Sequence, residues 1–163
     1  MFKLIHIIWT FPLLFSLGCS EIVATPTELI GTRLPELKLY IGDGKKTIEM
    51  GSLLKGKSTL LLFVSTDCST CRKLTQKILD NIKKFENKQI IIVTTSKDAK
   101  YIAFKKDYKL DAYPNVVAGI DKDNILLKNY KIESVPYLIV IREDKTIARV
   151  FTSGSNFEEI YEI

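Results

Sequence analysis

The sequence has very little histidine, cysteine and tryptophan. Its 163 residues include one histidine (His6), three cysteines and one tryptophan. His6 lies in an N-terminal segment that we expect to be removed, so the mature chain would contain no histidine. This excludes histidine-dependent catalytic triads, histidine-ligated metal sites and haem ligation through histidine. Any chemistry must therefore use thiol, amine, carboxylate or hydroxyl groups.

The sequence also lacks a long run of charge of one sign. The net charge is +5, but 24 Lys and Arg residues are interleaved with 19 Asp and Glu residues. No window has the composition of a basic nucleic-acid-binding arm, so we expect no nucleic-acid partner. A hydrophobic content of 46% and a charged content of 26% are typical of a globular protein, and the length corresponds to one domain.

The N-terminal hydrophobic run is too short to span a membrane. Residues 4–17 are mostly apolar and follow Lys3, but a membrane span needs about 20 residues, so the run is typical of a secretory signal. The sequence Ser-Leu-Gly-Cys-Ser at residues 16–20 resembles the lipobox of bacterial lipoproteins. That resemblance implies cleavage before Cys19 and lipidation of Cys19. Secretion with an unmodified Cys19 and an uncleaved anchor helix are the alternatives.

This interpretation divides the chain into three segments. We predict a signal peptide at residues 1–18 and a tether at residues 19–32, which contains Pro26 and Gly31. Residues 33–163 then form one folded domain, which is large enough for a single hydrophobic core.

Cys68 and Cys71 form a Cys-Ser-Thr-Cys motif that has several possible roles. A closed zinc site needs four ligands, and the sequence has no second Cys pair or mature histidine to supply the others. A structural disulfide across two intervening residues would close a very small loop and stabilise little. A redox-active dithiol is the third role, and a pair of ordinary thiols is the alternative to it.

The surrounding sequence favours the redox dithiol. Residues 58–64 are nearly all apolar, as in a strand buried on both faces. From Cys71 onward, apolar residues recur at helical spacing, namely Leu74, Ile78, Ile82 and Phe85. Free backbone N–H groups and the dipole at a helix start favour a thiolate there, as would the positive charges of Arg72 and Lys73. We therefore expect Cys68 to attack a substrate disulfide and Cys71 to resolve the mixed disulfide.

The remaining segments alternate between strands and helices, which predicts an α/β layered sheet. In chain order they are a hairpin at 37–41 and 45–50, a strand at 89–95, a helix from Ser96 as N-cap to 108, a strand or extended loop at 115–120, a short helix at 124–130, a hairpin at 137–141 and 146–151, and a terminal helix at 156–163. Pro136 opens a strand, where its missing N–H is tolerated. Tyr101, Phe104 and Tyr108 recur at helical spacing and are predicted to pack in the core.

The dithiol at a strand–helix junction, together with Val135-Pro136-Tyr137 before a final hairpin and helix, resembles the thioredoxin superfamily. The leading hairpin and Gly56-Lys57 resemble its secreted, membrane-tethered TlpA/ResA-like redoxins. The resemblance implies a thioredoxin-like three-layer fold, with a central mixed sheet flanked by helices and an added N-terminal hairpin. It also implies a cis-proline at Pro136 facing the dithiol and substrate binding by the backbone of Val135. Tyr137, the next residue, is a candidate for the same groove.

The sequence departs from the family pattern around the dithiol. Relatives carry a proton-shuttling acid at one of two positions, and this sequence has leucine at both, Leu62 and Leu74. Asp67 replaces the Trp that commonly precedes the first Cys, and Thr70 replaces the Pro that commonly precedes the second. We expect the hydroxyl groups of Ser69 and Thr70 to stabilise the thiolate by hydrogen bonding, and the charge of Asp67 to oppose it.

Together these features predict a monomeric thiol–disulfide oxidoreductase without metal or cofactor. It would be anchored by lipid on Cys19 to a bacterial membrane, face the periplasm, and exchange disulfides with protein substrates and a membrane redox partner. Two alternatives are a peroxide-reducing redoxin and a non-catalytic thioredoxin-like binding module. Peroxide reduction is supported by Ser65 three residues before Cys68, but Leu61 stands where that class has a proline.

Overall fold

A computed structural model describes residues 26–54, 56–96 and 98–162. The predicted signal peptide and the lipidation site at Cys19 therefore lie outside the described residues. Within the described ranges, no helix is both long enough and apolar enough to cross a bilayer.

The core of the fold is a seven-stranded mixed sheet in the order β2-β1-β5-β4-β3-β6-β7. The strands are β1 (Lys38–Ile41), β2 (Lys46–Glu49), β3 (Thr59–Phe63), β4 (Gln89–Thr94), β5 (Val116–Ile120), β6 (Tyr137–Ile141) and β7 (Ile147–Phe151). The central strand β3 runs parallel to β4 and antiparallel to β6. The segment at 115–120, for which the sequence left strand and loop open, is a strand parallel to β4.

In the described part of the chain, four α-helices cover the sheet: α1 (Met50–Leu53), α2 (Ser69–Asp80), α3 (Asp98–Asp107) and α4 (Ile125–Asn129). Because successive strand residues face opposite sides, Leu60 and Leu62 of β3 join the core beneath α2 and α3, whereas Leu61 and Phe63 join the core beneath α1 and α4. All residues of β3 are buried, as predicted from its continuous apolar run. The result is the predicted three-layer thioredoxin-like arrangement.

The predicted N-terminal hairpin is present and extends the sheet on the β5 side. Its strands β1 and β2 pair antiparallel, and β1 also pairs with β5. Gly119 of β5 is required for this contact, because a Cβ there would lie 2.9 Å from the Cβ of Leu39 on β1. Gly42 and Gly44 in the turn have positive φ angles of 67° and 82°, which glycine adopts without steric cost.

Two predicted helices differ from those in the structure. The helix α2 ends at Asp80, and the rest of its apolar stripe forms a 3₁₀ helix at Ile82–Phe85. Helix α3 is described from Asp98, and residue 97 lies outside the described residues, so Ser96 stays the predicted N-cap; its hydroxyl oxygen accepts hydrogen bonds from Thr66 and Thr94. The terminal helix is a 3₁₀ helix, Phe157–Glu162, which buries Ile160.

The end of the predicted tether packs against the domain. Leu29 is buried in the core, and the backbone N–H of Gly31 donates to the carbonyl of Ile147 over 2.8 Å. The N–H of Ile147 donates in turn to the carbonyl of Thr32 over 2.8 Å. The last residues of the tether segment therefore belong structurally to the sheet edge at β7.

Candidate active site

The two cysteines lie at the carboxyl end of β3, on the first turn of α2. Cys68 is the N-cap residue of α2, and its sulfur accepts a hydrogen bond from the backbone N–H of Cys71 over 3.1 Å. Cys68 is half-buried, whereas Cys71 is 0% exposed. A visiting disulfide can therefore reach Cys68, and the sulfur that it meets faces the positive end of the helix dipole.

The buried thiol of Cys71 has a raised pKa. Burial is the largest cause, because it penalises the charged thiolate, and a hydrogen bond with Cys68 raises the pKa further. A hydrogen bond from the backbone of Ser65 acts in the opposite direction. In the reduced protein, Cys71 is thus held as a neutral thiol behind Cys68.

A segment distant in sequence completes the surroundings of Cys68. The peptide bond between Val135 and Pro136 is cis, and the thiol of Cys68 donates to the carbonyl oxygen of Val135 over 3.8 Å. Val135 itself is half-buried. The structure thus brings the carbonyl of Val135, which precedes the cis-proline Pro136, to Cys68.

The ring of Tyr137 does not line this groove. Tyr137 is 5% exposed and packs in the core beneath α1 and α4, whereas Cys71 belongs to the core on the opposite side of the sheet. Strand alternation is the reason, since Tyr137 pairs with Phe63 of β3 and shares its face. Burial also raises the pKa of Tyr137.

The three residues expected to tune the thiolate are all exposed. The carboxylate of Asp67 pairs with the ammonium group of Lys100 on α3, which partly neutralises the charge expected to oppose the thiolate. In the described part of the chain, the hydrogen bonds of the Cys68 sulfur are with Cys71 and Val135, so the hydroxyl groups of Ser69 and Thr70 take no part. The side chain of Cys68 accepts instead from the backbone N–H of Cys71 on the first turn of α2.

Arg72 holds the active-site loop, residues 65–67, in place. Its Nε donates to the carbonyl of Thr66 over 3.1 Å, and its terminal nitrogens donate to Asp107 of α3 over 3.2–3.3 Å. The guanidinium carbon lies 5.8 Å from the ring centroids of both Phe104 and Tyr108. The sequence indicated only that Arg72 is close to the dithiol, and no local pattern indicates its partners on α3.

Three hydroxyl groups, two of them buried, also hold this loop. Thr66 is 3% exposed, and its hydroxyl group donates to Ser96 over 2.9 Å. Thr94, at the end of β4, donates to the same Ser96 oxygen over 3.0 Å. Arg72 and this cluster together fix the loop that precedes Cys68.

The positions that carry an acid in relatives are hydrocarbon in this core. Leu62 is 0% exposed and Leu74 is 6% exposed. Across the described residues, no group of three or more His, Cys, Asp or Glu side chains is placed to hold a metal ion. Thr75, four residues after Cys71 on α2, is 1% exposed, and its hydroxyl group has no hydrogen-bond partner.

Comparison with known proteins agrees with this geometry. The profile of the thioredoxin-like family matches residues 56–147. The chain is 26% identical to methylamine utilization protein MauD of Methylophilus methylotrophus over 118 residues, which are 72% of this chain and 53% of MauD. It is 29% identical to thiol–disulfide oxidoreductase ResA of Bacillus subtilis over 125 residues, which are 75% of this chain and 66% of ResA. The chain therefore spans between about half and two thirds of these relatives.

A solved structure supports the fold independently. The thioredoxin domain of a thiol–disulfide oxidoreductase from Bacteroides vulgatus superposes with a TM-score of 0.65 at 24% identity, covering 82% of this chain and 93% of that domain.

Proposed function

Since this chain belongs to the thioredoxin-like family, we propose that it is a thiol–disulfide oxidoreductase acting on proteins outside the cytoplasm. One observation carries the proposal: a half-buried Cys68 caps α2 beside a fully buried Cys71 and the carbonyl of Val135. Similarity to ResA, a thiol–disulfide oxidoreductase by name, supports the same activity.

The first step of the reaction uses Cys68. Its thiolate, supported by the N–H of Cys71, attacks one sulfur of a substrate disulfide and forms a mixed disulfide. The other substrate sulfur leaves as a thiolate and takes up a proton. An extended substrate segment lies along Val135, whose backbone groups offer the hydrogen bonds of strand addition.

The second step uses Cys71. Its thiol loses a proton and attacks the sulfur of Cys68, which forms the Cys68–Cys71 disulfide and releases the second substrate sulfur as a thiol. Two electrons have then passed from the protein to the substrate, and the reverse sequence oxidises a substrate dithiol. Because Cys71 is buried behind Cys68, it meets the mixed disulfide only from the protein side.

The location follows from the N-terminal sequence. Lipidation of Cys19 would anchor the chain to a bacterial membrane on its periplasmic side, where a membrane redox partner and protein substrates exchange electrons with it. The domain would connect to that anchor at the β7 edge of the sheet, where Gly31 and Thr32 pair with Ile147. Metabolic labelling with a fatty acid, compared between wild type and Cys19→Ala, tests the anchor.

The activity is tested by reduction of insulin and by thiol trapping in a redox buffer. Cys68→Ser is expected to abolish exchange, and Cys71→Ala is expected to accumulate the mixed disulfide. Lys46→Ala, at the far edge of the sheet on β2, is the matched control and should act like wild type. Full exchange activity in Cys68→Ser would refute the proposal. A normal cellular role for the chain with both cysteines replaced would favour the non-catalytic binding module.

A further inference from the structure

The hydroxyl group of Thr75 is buried in the core without a partner. Thr75 is 1% exposed, and its Oγ1 is one of three buried side-chain polar atoms in the described residues that have no hydrogen-bond partner. An unpaired buried hydroxyl group destabilises a core, whereas valine has the same shape and no such cost. The folded, reduced state therefore gives no reason for threonine over valine at this position.

Thr75 is a close neighbour of Cys71. The two residues are four apart on α2 and both are buried on the helix face that packs against the sheet. Residues at this spacing have Cβ atoms about 6 Å apart. The threonine hydroxyl has more than one accessible rotamer in a helix, so a rotation about one bond is enough to redirect it.

The surroundings of Cys71 leave few other donors for a thiolate. Leu62 and Leu74 are buried hydrocarbon, and the hydrogen bonds that favour the Cys71 thiolate come from the backbones of Ser65 and Cys71, with no side-chain donor among them. During the resolving step Cys68 is covalently bound to substrate, and its thiol is no longer available to donate. The backbone hydrogen bonds remain, and a side-chain donor would add to them at the moment when the charge forms.

We propose that Thr75 is a positioning residue for the resolving step, and that its hydroxyl group turns toward the sulfur of Cys71 and donates a hydrogen bond when that sulfur becomes a thiolate. This inference rests on the oxidoreductase function proposed above. Hydrogen bonds to an ionised acceptor are about twice as strong as those between neutral groups. The hydroxyl group therefore stabilises the thiolate more than the neutral thiol, which in the resting protein already has Cys68 as its partner.

The step balances without proton transfer to Thr75. The Cys71 thiol gives up its proton, a bond forms between the sulfurs of Cys71 and Cys68, and the bond between Cys68 and the substrate sulfur breaks. The substrate sulfur departs as a thiolate; an alkyl thiolate takes up the proton that Cys71 lost, whereas an aromatic thiolate that stays ionised leaves that proton in the solvent. Thr75 keeps its own proton throughout and only stabilises the transient charge.

The test compares Thr75→Val and Thr75→Ser with wild type, using dithiobis(nitrobenzoate) as the disulfide. In stopped flow, the first coloured thiolate reports attack by Cys68, and the second reports resolution by Cys71. We expect Thr75→Val to leave the first phase unchanged and to slow the second phase about tenfold, as for the loss of a hydrogen bond to a charged group. Thr75→Ser should restore the second phase.

The pH profile and the stability separate this role from a structural one. The second phase of Thr75→Val should require higher pH than that of wild type, and its resistance to urea should equal or exceed wild type. The inference would be overturned if the second phase of Thr75→Val ran at the wild-type rate, or if Thr75→Ser slowed that phase as much as Thr75→Val does. A clear loss of stability in Thr75→Val would also overturn it. If the wild-type protein fails to release the second equivalent of coloured thiolate, the proposed oxidoreductase function is refuted instead.

Discussion

Alkaline pH should destabilise the reduced protein through Cys71. Its thiol is 0% exposed and its pKa is raised above 9.0, chiefly by burial. A raised pKa in the folded state means that the stabilising contribution is complete below the ordinary pKa and is lost as pH rises above it. In the unfolded chain the thiol ionises freely, whereas in the folded chain it does not. Ionisation therefore lowers the free energy of the unfolded state relative to the folded state.

The size of this effect follows from the two protonation equilibria. For a thiol with an unfolded pKa of 9.0 that stays protonated when folded, the loss is about 0.1 kcal/mol at pH 8 and about 1.4 kcal/mol at pH 10. Each further pH unit costs about 1.4 kcal/mol until the folded-state pKa is reached. The buried hydroxyl groups of Tyr101 and Tyr130 also have raised pKa values, so they add to the loss at high pH.

The assay compares two variants so that Cys71 is isolated. Cys68→Ser and Cys68→Ser/Cys71→Ala are unfolded with urea under reducing conditions at pH 8 and pH 10. Both retain every tyrosine, and neither can form the Cys68–Cys71 disulfide, so the difference in their pH dependence belongs to Cys71. We expect Cys68→Ser to lose about 1.3 kcal/mol more than the double variant between these pH values. Parallel losses would refute the burial argument.

Three further predictions test the packing that supports the site. Arg72→Met should lower the free energy of unfolding by about 1–2 kcal/mol, because it removes a charged donor from a loop carbonyl. It should also slow thiol–disulfide exchange at Cys68. A normal exchange rate would show that the loop holds its position without this residue. Gly119→Ala should lower the free energy of unfolding in urea by about 1–3 kcal/mol, because the added Cβ would lie 2.9 Å from a side chain of β1. The control Gly154→Ala should have little effect, because no atom lies within 4 Å of its added Cβ. Equal effects of the two substitutions would contradict this view of the β1–β5 contact. Tyr101→Phe should cost about 1 kcal/mol, because its hydroxyl group donates to the carbonyl of Ala118 over 2.7 Å, and a stability equal to wild type would contradict it.

Several elements were predictable because their signals are local. The apolar run of β3, the helical spacing after Cys71 and the Gly-Asp-Gly turn each reflect burial or backbone freedom within a few residues. The terminal elements were predicted less accurately. The periodicity of apolar residues does not separate an α-helix from a 3₁₀ helix, and it therefore missed the 3₁₀ geometry of the C-terminal segment. For the same reason it extended α2 past Asp80, since Ile82 and Phe85 continue the apolar stripe in a 3₁₀ helix.

The chain's own residues determined that the chemistry rests on a dithiol at a strand–helix junction, since the two cysteines are three residues apart and histidine is nearly absent. Only the tertiary structure decided which groups surround that dithiol. Arg72 reaches Asp107 of α3, and Val135 reaches Cys68, across 35 and 67 residues of chain. Tyr137 turns away from the groove, and the hydroxyl group of Thr75, four residues after Cys71 on α2, has no hydrogen-bond partner. The physical reason is that spacing along the chain specifies a helix or strand, whereas the packing of one element on another specifies which side chains meet.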